Sequence, residues 1–426
     1  MRIAFTTLGC KINQYETDLM RQDLLSQGNT IVPFDAEADV YIINTCSVTA
    51  KSDYQCRQVI RAAVRRREAA KIVVTGCYAE TRPDELKKIP GVALVIGNRD
   101  KATIPYHIMK EVSATIPEIP PAVSVPVPLK ALTGKTRGFL KIQDGCDNRC
   151  SYCIVPLARG RSRSVEFGSV VSEFEQLVQR GCPEVVLTGI HIGAYGSDLR
   201  PATDLTELLA TLISKRGHTR IRLSSIEPTE ITAELTSFLG PALCRHLHIP
   251  LQSGDDTILT AMKRNYTSDF YRGVLDNISQ RVPGIALGAD VMVGFPGEGE
   301  KEFQNTLELV ARSPLTHLHV FSYSPRPGTR AAELKQQVPA QVKKERSETL
   351  RELGNKKNFE YRQKYRGAEV KVVVEDKRDM DSGLLSGITD NYMRVHVFGA
   401  KNSHIGKEIR VRIGKVEKEA NFATIL

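Results

Sequence analysis

The sequence predicts an α/β protein in three successive parts: an N-terminal parallel sheet with helices, a central partial (βα)6 barrel, and a small C-terminal antiparallel β-barrel. Two observations lead to this prediction. Through the first two parts, short apolar runs alternate with amphipathic stretches, which is typical of parallel strands joined by helices. From residue 366 onward, β-branched segments separated by glycines replace that pattern, as in small antiparallel barrels.

The first part covers residues 1–112. A periodic pattern that ends at Gly28 predicts one helix, and the stretch Tyr54–Arg67 predicts a second. The basic end of the second helix consists of Arg61, Arg65, Arg66 and Arg67. Short continuous apolar runs indicate parallel strands that are buried on both faces. These runs are Ile3–Thr7, Val40–Ile43, Ile72–Val74 and Ala93–Ile96.

A proline-rich linker is predicted over residues 113–133, because its prolines fit neither a helix nor a central strand. Residues 134–365 follow as the central barrel with a trailing charged helix over 341–364. Six strand–helix units fall short of a closed eight-unit barrel, which indicates an open partial barrel. The strands are Gly138–Gln143, Glu184–Thr188, Arg220–Ser224, His246–Pro250, Ile285–Val291 and His317–Ser322.

The chain carries a net charge of +10, with 41% hydrophobic and 25% charged residues. Residues 330–426 contribute +7 of that charge, from 21 Lys and Arg against 14 Asp and Glu. This surplus favours a polyanionic partner, nucleic acid first, with a merely solvated basic surface as the alternative. We expect a cytoplasmic protein with no membrane partner, because no signal peptide is recognisable and no apolar run approaches about 18 residues.

Nine cysteines in a reducing compartment point to metal binding or catalysis rather than to disulfides. Three of them, Cys146, Cys150 and Cys153, share one loop after a predicted barrel strand, where barrels of this type place catalytic groups. Their C-x3-C-x2-C spacing would let three thiolates bind three irons of a four-iron cluster and leave one iron open. The alternatives are unrelated cysteines or a zinc loop, which would need a fourth Cys or His at finger-like spacing.

A second set of three cysteines is spread over the first part of the chain. Cys10, Cys46 and Cys77 each lie just past the carboxyl end of a predicted parallel strand, where open α/β sheets bind ligands. Gly9 and Gly76 would allow the backbone to approach closely. Three adjacent strands could therefore direct three thiolates at one point, and scattered buried cysteines are the alternative.

The C-x3-C-x2-C loop, with Tyr152 before its last cysteine, resembles that of the radical S-adenosylmethionine (SAM) superfamily. The resemblance implies that Cys146, Cys150 and Cys153 hold a [4Fe–4S] cluster whose open iron chelates SAM. Reductive cleavage of SAM would then give a 5′-deoxyadenosyl radical, with flavodoxin or ferredoxin as the electron donor.

The contexts Leu8–Thr17, Asn44–Thr49 and Thr75–Ala79 resemble the N-terminal domain of methylthiotransferases. In that family this domain precedes a radical SAM barrel and a small RNA-binding, OB-like barrel called TRAM, an order that covers essentially the whole chain. The resemblance implies a second [4Fe–4S] cluster on the three N-terminal cysteines, which carries or supplies the inserted sulfur.

Three branches of this family differ in substrate. One acts on isopentenyladenosine in tRNA, one on an aspartate of a ribosomal protein, and one on N6-threonylcarbamoyladenosine in tRNA. The run Tyr15-Glu16-Thr17 and the Ser-Val-Thr after Cys46 are most similar to the third branch. The resemblance therefore implies a monomer that acts on the tRNA anticodon stem-loop and adds a methylthio group beside the anticodon.

Contacts to SAM or substrate are expected at the mouth of the barrel. Arg163 follows the cysteine loop together with Arg159 and Arg161, and these guanidinium groups could hold a phosphate or carboxylate. The predicted cofactor-binding residues are Tyr152, Arg163, Gly189, Glu227, Gln252 and Asp290. The remaining cysteines, Cys56, Cys182 and Cys244, are predicted to be structural, and His246 and His248 to line the barrel rather than bind metal.

Two functions of other classes remain open from the residues alone. One is an Fe–S electron carrier without catalytic activity, although a carrier needs neither clusters with an open iron nor a barrel. The other is an RNA-binding scaffold that uses its cysteines structurally.

Overall fold

The computed structural model describes residues 1–110, 136–240 and 242–426. The linker predicted over residues 113–133 lies outside these ranges. The chain divides into two compact units. Unit 1 is drawn from the ranges 1–133, 144–162 and 324–332, and unit 2 from 134–143, 163–323 and 333–426. The loop with Cys146, Cys150 and Cys153 therefore belongs to the same compact unit as the N-terminal sheet.

Unit 1 contains the predicted parallel sheet, with five strands in the order β2-β1-β3-β4-β5. The strands are β1 (Arg2–Thr7), β2 (Thr30–Val32), β3 (Val40–Thr45), β4 (Lys71–Gly76) and β5 (Val92–Ile96). The helices are α1 (Lys11–Ser26), α2 (Ala50–Arg66), α3 (Cys77–Thr81), α4 (Pro83–Lys87), α5 (Ile104–Lys110) and α6 (Val155–Arg159). The sequence does not predict β2, α3 or α4, because segments this short show too little periodicity.

The sheet of unit 1 is covered on both faces. All six residues of β3 are buried, and α2 packs Ile60 and Ala63 into the core on one face. In the strand register, Asn44 of β3 lies opposite Thr7 of β1 and Thr75 of β4. The carboxyl ends of three adjacent strands therefore meet at one edge, which is where open α/β sheets place their ligands.

Unit 2 contains the six barrel strands in chain order, as two parallel three-stranded sheets, β6-β9-β10 and β11-β12-β13. Isolated bridges such as Ser225 with His248 join the two sheets. Two short strands, β7 (Gln143–Asp144) and β8 (Arg163–Ser164), lie outside these two sheets. The six barrel strands are β6 (Gly138–Lys141), β9 (Glu184–Thr188), β10 (Arg220–Leu223), β11 (His246–His248), β12 (Ala286–Val293) and β13 (His317–Ser322). This confirms the open partial barrel.

Seven helices of unit 2 lie between or after these strands within the described ranges. They are α7 (Phe167–Gln179), α8 (Leu205–Lys215), α9 (Ala233–Phe238), α10 (Asp256–Ala261), α11 (Ser268–Arg281), α12 (Glu300–Arg312) and α13 (Ala340–Gln363). The long helix α13 is the predicted trailing helix. Over the described residues, no helix combines the length and the apolar character that crossing a membrane requires.

The C-terminal barrel is closed by five strands in the cyclic order β14-β15-β16-β18-β17. These strands are β14 (Glu369–Arg378), β15 (Leu385–Thr389), β16 (Arg394–Phe398), β17 (Glu408–Val416) and β18 (Asn421–Ile425). One pair, β16 with β18, is parallel, so the barrel is not purely antiparallel. Five strands in a ring cannot alternate direction throughout, because the number is odd.

A buried carboxylate joins the barrel strands to the C-terminal barrel in unit 2. Glu184 at the start of β9 is fully buried, and it accepts hydrogen bonds from Arg220 Nη2 at 2.6 Å and Arg222 Nε at 2.8 Å. Both arginines also donate to backbone carbonyls of the C-terminal barrel. Arg220 donates to the Ile388 carbonyl at 3.0 Å, and Arg222 donates to the Thr389 carbonyl at 2.9 Å. Glu184 therefore balances the charge of the two arginines that form hydrogen bonds with the C-terminal barrel.

Candidate active site

Three thiols meet at the carboxyl edge of the sheet in unit 1. Cys10 caps the start of α1, Cys46 follows β3, and Cys77 follows β4 as the first residue of α3. The backbone approaches closely at this edge. A Cβ atom on Gly9, which has a φ of +104°, would lie 2.8 Å from Cys46 Cβ. Only glycine fits this position without strain.

Two of the three thiols, Cys46 and Cys77, have raised pKa values. Burial raises the pKa of the Cys46 thiol, and the neighbouring Cys77 and Cys10 raise it further. Burial also raises the pKa of Cys77, whereas the charge of Arg159 and a hydrogen bond from Asn98 oppose that rise. Cys46 and Cys77 are buried, and Cys10 is exposed. The structure thus brings the three predicted thiols into electrostatic contact, with Cys10 open to solvent.

The thiols of the C-x3-C-x2-C set lie in the loop before α6, also in unit 1. Cys146, Cys150 and Cys153 are half-buried. The Cys146 N–H donates to the Gly160 carbonyl at 3.1 Å, and the Cys153 N–H donates to the Cys150 carbonyl at 3.1 Å. The Asn148 N–H donates to Cys146 Sγ at 3.4 Å. The loop is therefore a closed turn that presents three thiols.

The chemistry of the donors in both sets fits an Fe–S cluster. Each set offers three thiolates, which can bind three irons of a four-iron cluster and leave the fourth open. The donors in both sets are thiols alone, which are the soft ligands of Fe–S clusters.

Arg159 does not have the ligand-binding role that its place after the cysteine loop suggests. Its side chain is 1% exposed. Its guanidinium donates to Glu16 Oε1 at 2.9 Å, to Asp144 Oδ1 at 3.0 Å and to Asn13 Oδ1. Its carboxylate partners thus belong to the chain itself, and the sequence offers no signal that separates it from the exposed Arg161.

The remaining predicted cofactor-binding residues fall in both units. Tyr152 lies in unit 1 and is half-buried, while Arg163 lies in β8 of unit 2 and is exposed. Gly189 follows β9 in unit 2, in a loop whose Ile190 and His191 N–H groups donate to Gln143 Oε1 at 3.1 and 2.8 Å. A side chain at Gly189 would meet neighbouring atoms at 2.8 Å, so this loop stays close to the barrel wall.

Gln252 and Asp290 lie side by side in unit 2. The Gln252 N–H donates to the Asp290 carbonyl at 2.8 Å, and Gln252 has a φ of +64°. Among the described residues, the buried Oε1 of Gln252 has no hydrogen-bond partner. An unsatisfied buried oxygen of this kind is a feature of ligand sites. Glu227 instead forms an ion pair with Arg264, which opposes the rise in the pKa of Glu227 that burial causes.

Asp290 lies within β12 rather than at its end, because β12 stays paired with β13 up to Val293. Its carboxylate oxygens face His248 Nε2 at 3.1 Å and His319 Nδ1 at 3.4 Å. Burial alone would raise the pKa of Asp290, but both histidines hold it well below its usual value. The sequence predicts His248 as polar lining and misses His319, whose contact depends on the register between strands.

The three remaining cysteines are buried and do not join either set. Burial raises the pKa of Cys56 to about 12 and that of Cys244 to about 12. Cys56 Sγ donates to the Cys46 carbonyl at 3.4 Å, and Cys182 Sγ accepts from the Gly138 N–H at 3.2 Å. Thiols in such surroundings are poor nucleophiles and fit the structural role predicted for them.

The basic end of α2 has mixed roles. Arg66 donates to the Phe34 carbonyl at 2.5 Å and its guanidinium lies 5.0 Å from the centre of the Phe34 ring, while Arg67 forms an ion pair with Asp39. These two arginines stabilise the fold of unit 1. Arg61 and Arg65 are exposed.

Comparison with known families covers most of the chain. Residues 2–97 match the Uncharacterized protein family UPF0004, residues 140–310 the Radical SAM superfamily, and residues 363–426 the TRAM domain. Among solved structures, a radical S-adenosylmethionine methyltransferase from Kitasatospora setae is similar, with a TM-score of 0.59 and 16% identity over 78% of this chain and 75% of that chain. At that identity the likeness concerns the fold alone.

Curated relatives match over nearly the full length. A threonylcarbamoyladenosine tRNA methylthiotransferase of Bacillus subtilis is 41% identical over 97% of this chain and 94% of its own, and one of Aquifex aeolicus is 39% identical over 97% and 100%. A tRNA-2-methylthio-N(6)-dimethylallyladenosine synthase of Fusobacterium nucleatum is 33% identical over 100% of both chains. The curated relatives, the three matching domains and the two sets of three thiols in one compact unit all agree. The chain therefore belongs to the radical SAM methylthiotransferase family and is a tRNA methylthiotransferase.

Proposed function

We propose that this enzyme converts N6-threonylcarbamoyladenosine beside the tRNA anticodon into its 2-methylthio derivative. The observation that carries the proposal is the gradation of identity among its relatives. Enzymes named for threonylcarbamoyladenosine are 41% and 39% identical to this chain, against 33% and 34% for two dimethylallyladenosine synthases. The Tyr15-Glu16-Thr17 run after Cys10 points to the same branch.

The cofactors are [4Fe–4S] clusters and SAM, as throughout this family. Cys146, Cys150 and Cys153 would hold the cluster whose open iron binds SAM, and Cys10, Cys46 and Cys77 would hold the second. When bound, the first cluster supplies the electron that cleaves SAM to a carbon radical, and the second carries or supplies the sulfur. The chain's own contribution is to present the two sets of thiols from one compact unit, with the SAM-binding set on a closed turn.

The predicted cofactor-binding residues, all but Tyr152 in unit 2, would bind SAM or the nucleoside. Gln252 is favoured most, because its buried Oε1 needs a donor such as an amino or hydroxyl group. Asp290 stays ionised beside two histidines and can accept hydrogen bonds from a ribose. Gly189 stays a predicted contact, in a loop whose next two N–H groups are held by Gln143. Tyr152, Arg163 and Glu227 remain predicted contacts, Glu227 through its pair with Arg264.

The C-terminal barrel would bind the anticodon stem-loop. Its exposed cations, with Arg61 and Arg65 of α2, supply the positive surface that tRNA phosphates need. We further propose that flavodoxin or ferredoxin donates the electrons, and that the enzyme acts as a monomer in the cytoplasm.

Deleting the enzyme from its host should remove the 2-methylthio group from threonylcarbamoyladenosine in bulk tRNA and leave the parent nucleoside in its place. Nucleoside mass spectrometry of hydrolysed tRNA measures both species. The physical basis is that radical chemistry at one adenine carbon leaves the threonylcarbamoyl group intact.

The same tRNA hydrolysate contains its own control, because methylthio-isopentenyladenosine should stay unchanged. Loss of that nucleoside instead would assign the enzyme to the isopentenyladenosine branch. An unchanged nucleoside profile would contradict the proposal and indicate a protein substrate or a non-catalytic role. Expression of the Cys46→Ala chain should fail to restore the lost group.

A further inference from the structure

A buried polar network joins the two sets of thiols within unit 1, and Arg159 lies at its centre. Arg159 ends α6, six residues after Cys153 in the chain. Its Nη1 donates to Asp144, which immediately precedes the cysteine loop, at 3.0 and 3.2 Å. The same nitrogen donates to Glu16 of α1 at 2.9 Å. One guanidinium therefore ties both ends of the loop to α1, the helix that directly follows Cys10.

The network continues beneath the N-terminal cysteines. Asn13, which accepts from Arg159, donates its own Nδ2 to the carbonyls of Leu8 (2.8 Å) and Thr45 (3.1 Å). These carbonyls lie in the two segments that carry Cys10 and Cys46. Lys101 donates to Glu16 from the opposite side and to Asn44 Oδ1 at 3.2 Å. Any displacement of Arg159 would therefore act on the backbone around Cys10 and Cys46.

A second link of the network reaches Cys77. Asn98 Nδ2 donates to Cys77 Sγ at 3.5 Å and to the Ala158 carbonyl of α6 at 2.7 Å. The Asn98 backbone N–H donates to Glu80 Oε2 at 2.7 Å, which anchors the main chain at this residue. Asn98 thus connects a predicted cluster ligand to the same helix that ends at Arg159.

The charges in this network favour negative charge on Cys77. Arg159 is almost fully buried, so its charge is poorly screened by solvent. Asn98 Nδ2 donates to Cys77 Sγ at 3.5 Å, and the cationic side chains of Arg159 and Lys101 are only 1% and 6% exposed. Hydrogen bonds to ligand sulfurs and nearby charge are the main means by which a protein sets the potential of an Fe–S cluster.

We propose that Arg159 is a positioning residue that fixes the two sets of thiols relative to each other and, with Asn98, raises the reduction potential of the cluster on Cys10, Cys46 and Cys77. This inference rests on the proposed function, because it requires both clusters. Arginine suits the position better than lysine. Its planar fork reaches Glu16, Asp144 and Asn13 at once, whereas an ammonium is a single point of charge.

The test uses the full-length enzyme reconstituted with both clusters, as wild type and as Arg159→Lys, Arg159→Met and Asn98→Ala. Arg312→Met is the matched control, because it also replaces an arginine by Met, but this arginine lies in unit 2 and its side chain is 75% exposed. Three quantities are measured: iron and sulfide per chain, the midpoint potential of the second cluster by EPR titration, and 5′-deoxyadenosine formed per methylthio product. Combined Ala substitution of Cys146, Cys150 and Cys153 identifies the signal of the second cluster.

With iron content at the wild-type level, Arg159→Met and Asn98→Ala should shift the midpoint potential of the second cluster downward, because each removes an interaction that stabilises an added electron. Arg159→Lys should keep most of the potential but lose the positioning. In both Arg159 variants, 5′-deoxyadenosine per product should rise several-fold, since cleavage of SAM becomes uncoupled from sulfur insertion. The control should match the wild type in all three quantities.

An unchanged potential in both Arg159→Met and Asn98→Ala, with both clusters present, would overturn the inference. So would a potential shift of equal size in Arg312→Met. If Arg159→Met fails to fold, Asn98→Ala and Arg159→Lys still decide the result. Absence of iron from the chain that lacks Cys146, Cys150 and Cys153 would instead show that the N-terminal thiols bind no cluster, and the proposed function itself would fail.

Discussion

Replacing Cys46 by Ala should abolish the methylthio product while cleavage of SAM to 5′-deoxyadenosine continues. Replacing Cys150 by Ala should abolish both. The reason is the division of the six thiols. Cys150 belongs to the loop whose cluster binds SAM and supplies the electron, whereas Cys46 belongs to the separate set at the edge of the sheet. Loss of one thiolate from a set of three leaves too few ligands to hold a cluster with an open iron.

Anaerobic assays with reductant, SAM and unmethylthiolated tRNA measure 5′-deoxyadenosine and the modified nucleoside in the same sample. Cys56→Ala is the matched control, because Cys56 lies next to Cys46 in unit 1 and its pKa is raised to about 12 by burial. It should retain both activities. A Cys46→Ala enzyme that still forms product, or one that no longer cleaves SAM although its iron content falls by only half, would contradict the division of roles.

Replacing Glu184 by Gln should destabilise unit 2 by about 3–5 kcal/mol, the cost of leaving buried charges without their partner. Glu184 faces Arg137, Arg220 and Arg222, and the Arg222 side chain is as fully buried as Glu184. The amide keeps the shape of the side chain but not its charge. Because Arg220 and Arg222 also hold carbonyls of the C-terminal barrel, this barrel should be released first.

Thermal unfolding and limited proteolysis of the wild type and the variant test this expectation. Glu175→Gln is the control, because Glu175 forms an exposed pair with Lys215 and its loss should cost at most about 1 kcal/mol.

Burial alone would raise the pKa of Glu184, but its arginines hold it well below 4.5. A lowered pKa stabilises the fold above the unfolded value, so the gap between variant and wild type should be equal at about pH 7 and about pH 5.5. Equal unfolding temperatures for the wild type and Glu184→Gln would show that the contact is dispensable.

Much of the fold follows from local pattern. The strands Glu184–Thr188 and His317–Ser322 have the predicted limits, because short apolar or alternating runs identify strands without tertiary information. The two sets of cysteines are recognisable for different reasons. The loop at Cys146 has a local spacing that favours a cluster, and Cys10, Cys46 and Cys77 follow strands that are adjacent in the sheet.

The network around the site could not be predicted in the same way. Arg159 and Arg161 have the same type and neighbourhood in sequence, yet one is buried between carboxylates and the other is exposed. Glu184 stands at the start of a strand, where a charged residue is ordinary, yet it is fully buried against Arg220 and Arg222. The contact of Asp290 with His248 and His319 depends on the register of three strands. Tertiary contacts far apart in sequence determine each of these features.

Iron and acid-labile sulfide per chain, measured after anaerobic reconstitution, test the central claim most directly. The wild type should bind about eight irons and about eight sulfides, as expected for two [4Fe–4S] clusters. Combined Ala substitution of Cys10, Cys46 and Cys77, or of Cys146, Cys150 and Cys153, should each leave about four of each. Fewer than about six irons in the wild type, or full iron content after either triple substitution, would contradict the assignment of one cluster to each set of thiols.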